Sequence, residues 1–72
     1  MNADLFRATT KHYMELRHIN TREKLRAHTT CDSSTTFRKY WNEPDLMPMG
    51  MWEQIMDALK VPLEDRIEII KK

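Results

Sequence analysis

The amino-acid sequence predicts an all-α fold of five short helices, and three observations predict it. No segment alternates apolar and polar residues with β-branched enrichment over five residues or more, as a half-buried strand requires. Only one Gly and three Pro occur in 72 residues, so little of the chain can be turn or sheet edge. Apolar residues recur at spacings of three and four along most of its length. With 40% hydrophobic and 32% charged residues, the composition is that of a soluble globular chain rather than a disordered one. A chain this short forms a single domain, near the lower limit for a core that stands without staples.

Residues 1–3 are expected to fray. The first helix is expected over residues 4–18, with Leu5, Thr9, His12, Tyr13 and Leu16 on one face and Phe6 and Met14 beside it. Asn20 followed by Glu23 has the pattern of a capping box, which starts a second helix over 21–29 anchored by Leu25. The segment from His28 to Ser34 is crowded with Thr, Ser and Asp, side chains that bond their own backbone and favour turns and caps. Asp32 or Ser33 then caps a third helix over 33–42, in which Phe37, Tyr40 and Trp41 form the buried stripe. Pro44 ends that helix by disfavouring helical geometry at the residue before it.

Pro48 is expected in the first turn of a fourth helix over 49–60, whose Trp52, Ile55, Met56 and Leu59 make the most regular amphipathic pattern in the chain. Met47, Met49 and Met51 are read as gap filling around the connection into it. After Pro62 a fifth helix is expected over 63–71, with Leu63, Ile67 and Ile70 as its apolar side. Glu64 and Asp65 at its start and Lys71 and Lys72 at its end agree with the helix dipole. Phe37, Trp41, Trp52, Ile55 and Leu59 are expected at the centre of the core, since aromatics at helical spacing are core far more often than stacking platforms.

Several function classes are read as excluded. Cys31 is the single cysteine, so no internal disulfide can form, and its thiol suits a reducing compartment. It does not assemble a metal site with the scattered His12, His18 and His28, and no oxyanion site or orienting acid accompanies it as a nucleophile. Glu64 and Asp65 are first-turn charges rather than a general acid and base. The expectation is therefore no enzyme, no metal, no cofactor and no small-molecule substrate. No apolar run approaches the roughly 20 residues of a membrane span and no signal-peptide pattern opens the chain, so the expected location is cytoplasmic with no membrane partner.

The net charge of +1 says little, but its distribution says more. Residues 1–42 carry eight Lys/Arg against four Asp/Glu, or +4, and residues 43–72 carry four against seven, or −3. The basic half holds a helix with Ser33, Ser34, Thr35, Arg38 and Lys39 on one side and Phe37 and Trp41 on the other. A short helix anchored by aromatics and showing hydroxyls and cations outward suits the major groove of DNA.

Around that helix the chain resembles the lambda-repressor-like helix-turn-helix family, the Cro/repressor type of phages and mobile elements. The resemblance runs over about residues 16–67. It lies in Thr21-Arg22-Glu23 and Leu25 of the second helix, Ser33 to Phe37 opening the third, and Trp41-Asn42 closing it. Pro48 before the fourth helix and Ala58-Leu59-Lys60-Val61 at its end complete the match.

The resemblance implies sequence-specific binding of double-stranded DNA by a small transcriptional regulator, with the third helix in the major groove. Base contacts would come from Ser33, Ser34, Thr35, Arg38 and Lys39, Arg38 being the best suited because it can bond guanine bidentately. Arg22, at the start of the second helix beside its free amides, would contact a phosphate, with Asn42 and His28 as further phosphate ligands. A homodimer through the apolar side of the fifth helix is the expected assembly. Two departures stand out. The turn Thr29-Thr30-Cys31-Asp32 is one residue longer than usual and lacks glycine, and Arg26 replaces the alanine common after the second-helix leucine. The same scaffold without DNA binding, as an antitoxin-like or host-targeting phage interaction module, is the alternative reading.

Overall fold

In a computed structural model that describes residues 1–71, the chain is all-α. The helices are α1 (Ala3–Leu16), α2 (Arg22–Arg26), α3 (Ser34–Asn42), α4 (Met49–Leu59) and α5 (Leu63–Ile70), with a single 3-10 turn over Pro44–Leu46. No strand occurs among the described residues. The expected helices at 4–18, 33–42, 49–60 and 63–71 are found within two residues at each end, whereas the second is markedly shorter than 21–29. Lys72 lies outside the described residues, and Lys71 sits just past α5 in extended geometry rather than in its last turn.

Two contacts tie the chain start, over the residues expected to fray, to the rest of the fold. The Asn2 side chain accepts from the Leu5 amide at 3.0 Å as the α1 N-cap, and the Asn2 amide donates to the Ile69 carbonyl at 2.8 Å. The expected apolar face of α1 is off by one position. Phe6, Thr10 and Met14 are buried, while Leu16 is 54% exposed and His12 faces out. Two adjacent stripes of α1 both carry apolar residues, and the other helices cover the one holding Phe6. There Phe6 meets Trp41 of α3 edge-on, with ring centroids 5.9 Å apart.

Thr21, not Asn20, caps α2, accepting from the Lys24 amide at 3.2 Å. That helix ends at Arg26 because the Thr29 hydroxyl takes the Arg26 carbonyl at 2.7 Å, a local bond that competes with continuing the helix. Ser33 caps α3 through the Thr36 amide at 3.2 Å. Pro48 and Pro62 stand at the N-cap positions of α4 and α5, one residue before the first turn, where extended geometry suits proline and no side-chain cap is made.

Two helices end in a left-handed residue without using glycine. His18 (φ 59°) follows α1 and Lys60 (φ 54°) follows α4. The amides just beyond them reach back five residues, Ile19 to the Met14 carbonyl at 2.9 Å and Val61 to the Met56 carbonyl at 3.0 Å. These are Schellman closures, and both Ile19 and Val61 are buried, as the accompanying apolar contact requires.

Phe37, Trp41, Trp52, Ile55 and Leu59 all lie in the core, joined by Phe6, Met14, Ile19, Leu25, Met47, Met56, Val61 and Ile69. Only Ile69 of α5 is buried. The apolar side expected from Leu63, Ile67 and Ile70 faces outward, at 71%, 47% and 41% exposure. The reason is that α5 is tied down along a different face. Tyr13 donates to the Asp65 carboxylate at 2.6 Å, and Arg66 donates to the Val61 carbonyl at 2.8 Å and to Asp57 at 2.9 Å.

Among the described residues the Trp52 indole N–H has no hydrogen-bond partner, so packing holds that ring. Trp52→Ala should cost about 3–5 kcal/mol, enough to unfold most of so small a domain, and urea or thermal unfolding followed by circular dichroism measures it.

The hydrogen bond to Asp65 raises the Tyr13 phenol above its ordinary pKa, with burial and the Asp65 charge adding to the effect. A raised folded-state pKa means the contact stabilises the fold below the ordinary phenol value of about 10 and is lost as the pH climbs through the raised one. Wild type should therefore lose stability in that alkaline window relative to Tyr13→Phe, and paired unfolding curves across it measure the difference.

Candidate functional site

The residues expected to carry function fall on and around α3. At about 100° per residue, Ser34, Thr35, Arg38, Lys39 and Asn42 occupy one face about 140° wide, and all five are exposed. Phe37 and Trp41 on the opposite side hold the helix to the core. Ser33 is half-buried, and its hydroxyl oxygen is engaged by the Thr36 amide, so its first role is to cap.

A groove lined by Thr21, Arg22, Glu23, Ser34, Thr35, Phe37 and Arg38 separates the start of α2 from the first half of α3. It brings Arg22 together with Ser34, Thr35 and Arg38. It does not include Lys39, Asn42 or His28. Asn42 lies at the far end of α3, where its carbonyl accepts from Arg7 at 3.1 Å, and His28 is exposed beyond the end of α2. With only five residues, α2 has too small a dipole for its amides to hold an anion unaided, so any such contact rests on the Arg22 guanidinium.

Glu23 is the groove residue that sequence reasoning missed, although its spacing to Arg26 marks an i,i+3 pair. Arg26 donates to one Glu23 carboxylate oxygen from Nε at 3.1 Å and from Nη2 at 2.9 Å, and its Nη1 reaches the Cys31 carbonyl at 3.0 Å. Arg26 thus braces the turn between α2 and α3 as well as holding Glu23. Gln54 of α4 holds the same turn, accepting from the Thr30 amide at 2.8 Å. Cys31 is half-buried, and its thiol donates to the Ser33 carbonyl at 3.4 Å.

With Arg26 offsetting Glu23, Arg22 and Arg38 set the charge of the groove. Neither makes an ion pair among the described residues. The same holds for Lys11, Lys24, Lys39 and Lys60, whereas Arg7, Arg26, Arg66 and Lys71 are paired with carboxylates. Among the described residues, no three His, Cys, Asp or Glu side chains gather where they could hold a metal ion. No helix among the described residues is long and apolar enough to cross a membrane. In comparison with known proteins, no family model, curated protein or solved structure matches this chain.

The Arg26 guanidinium, and then the Ser34 hydroxyl, hold the Glu23 carboxyl below the ordinary glutamate range. A lowered folded-state pKa means the pair stabilises the fold above the ordinary value of about 4.3 and loses that contribution as the pH falls through the lowered one. Arg26→Ala should return the Glu23 titration towards the ordinary value, as read from its side-chain carboxyl shift by NMR.

Proposed function

We propose that this chain is a helix-turn-helix domain of the lambda-repressor-like type that binds double-stranded DNA sequence-specifically, as a small transcriptional regulator of phage or mobile-element origin. In this reading α3 enters the major groove. Arg38 makes the principal base contact, and Lys39, Ser34 and Thr35 lie along the same edge. Ser33 contributes only the hydroxyl hydrogen that its capping role leaves free. Arg22 contacts a phosphate from across the groove, and Asn42 and His28 reach the backbone farther along.

One observation carries the reading. The outward face of α3 combines hydroxyls with two unpaired cations, and a third unpaired cation, Arg22, stands across a groove from it. Arg7, Arg26 and Arg66 are spent on carboxylates and Arg17 on the Leu59 carbonyl, whereas Arg22, Arg38 and Lys39 have no such partner among the described residues. The outward stripe of Leu63, Ile67 and Ile70 on α5 supports a homodimer through that helix, matching a two-fold operator. The three side chains cover far less than the roughly 800 Å² per partner of a standard interface, so in this reading the dimer is weak off DNA.

The second reading is an interaction module on the same scaffold. It is favoured by the exposed apolar side chains Leu16, Leu46, Met49, Leu63, Ile67 and Ile70, which suit a protein partner.

Arg38→Ala and Arg22→Ala should fail differently. Loss of Arg38 should weaken the selected site by about 1–3 kcal/mol and make one of its positions degenerate. Loss of Arg22 should weaken binding on all duplexes alike, with a shallower dependence on salt. Selection of duplexes from a random pool, followed by anisotropy titrations, measures both. Absence of any preference among duplexes at low salt, with the fold intact, defeats the DNA reading in favour of the interaction module.

A further inference from the structure

A second groove lies on the other side of Arg22, between α1 and the entry to α2. Lys11, His12, Glu15, His18 and Arg22 line it, and Trp41 lies at its base. We propose that this groove carries the sugar-phosphate backbone of the same duplex onward from Arg22, so that α1 is a second backbone-contacting element. The proposal rests on the DNA-binding reading and extends it to residues outside the helix-turn-helix unit.

Three observations point to a phosphodiester chain as the occupant. The groove sets the unpaired cations Lys11 and Arg22, together with two imidazoles, against the single carboxylate of Glu15. It adjoins the groove beside α3, since Thr21 and Arg22 line both. It is also open rather than enclosed, which suits a polymer running through it better than a small anion that must be surrounded. Lys11 stands about 7.5 Å along the axis from the end of α1 at Leu16, with His18 beyond it, room for more than one phosphate of a strand that carries a charge every ~3.4 Å along the duplex axis.

Lys11→Ala tests this against Lys71→Ala, which removes the same charge from a site outside both grooves. Both side chains are exposed, and cooperative melting confirms that both variants remain folded. Binding of a non-specific duplex is followed by anisotropy between about 50 and 200 mM salt. Lys11→Ala should make the slope of log affinity against log salt shallower by about one and leave the ranking of duplex sequences unchanged, while Lys71→Ala keeps the wild-type slope. Equal slopes in the two variants overturn the proposal but leave the α3 reading standing, provided Arg38→Ala still alters site selection. If wild type binds no duplex at low salt, both readings fall. Capture of a polyglutamate peptide that is lost in Lys11→Ala, without any duplex binding, instead assigns the groove to an acidic protein.

Discussion

The fold depends on arginines that close the carbonyl ends of short helices. Every helix leaves its last four carbonyls without intrahelical partners, and a chain of short helices has many such ends for its size. Arg7 of α1 donates to the Trp41 and Asn42 carbonyls where α3 stops, and Arg17 donates to the Leu59 carbonyl where α4 stops. Arg66 of α5 takes the Val61 carbonyl after the same helix, and Arg26 takes Cys31 in the turn before α3. Three of these bonds cross between elements distant in sequence, so each one ends a helix and docks it at once. A guanidinium is suited to this because it stays charged and offers several donors in a fixed plane. Lysine in any of the four positions would keep the charge and lose the geometry.

This use of arginine changes what the charge distribution means. The eight cations of residues 1–42 include Arg7, Arg17 and Arg26, which are committed to carbonyls and carboxylates of the chain itself. Those left free are Lys11, Arg22, Lys24, Arg38 and Lys39. The relevant property is therefore their placement rather than their sum. Arg22 stands between two grooves, Arg38 on one side of it and Lys11 on the other.

Much of the fold was legible because it is local. Apolar spacing located all five helices, and Pro44, Pro48 and Pro62 marked their limits. The errors came where tertiary contacts choose between local options. On α1 the stripes through Leu5 and through Phe6 are both apolar, and only the packing of Trp41 against Phe6 selects the second. On α5 the apolar pattern favoured Leu63, Ile67 and Ile70, but Tyr13 and Arg66 hold the helix by the face that buries Ile69. The shortening of α2 follows from a single hydroxyl, Thr29, whose choice between solvent and the Arg26 carbonyl no periodicity reveals. For the site, spacing placed Ser34, Thr35, Arg38 and Lys39 on one exposed side of α3, while Ser33 precedes the helix and caps it. The α1 groove could not be read in this way, because it arises where α1, the entry to α2 and Trp41 of α3 meet.

The two left-handed corners at His18 and Lys60 also shape how the chain moves. A side chain in that conformation stores on the order of 1 kcal/mol that glycine would not. Histidine tolerates it better than most residues. Each corner is kept shut by one long backbone bond and a buried apolar residue, Ile19 or Val61. Release of either bond relaxes that strain, so opening costs less at the exits of α1 and α4 than at an unstrained corner. The first of these lies beside the α1 groove. Leu25 is the one buried residue of α2, so the corner at His18, with Ile19 beneath it, sets the direction in which that helix leaves α1.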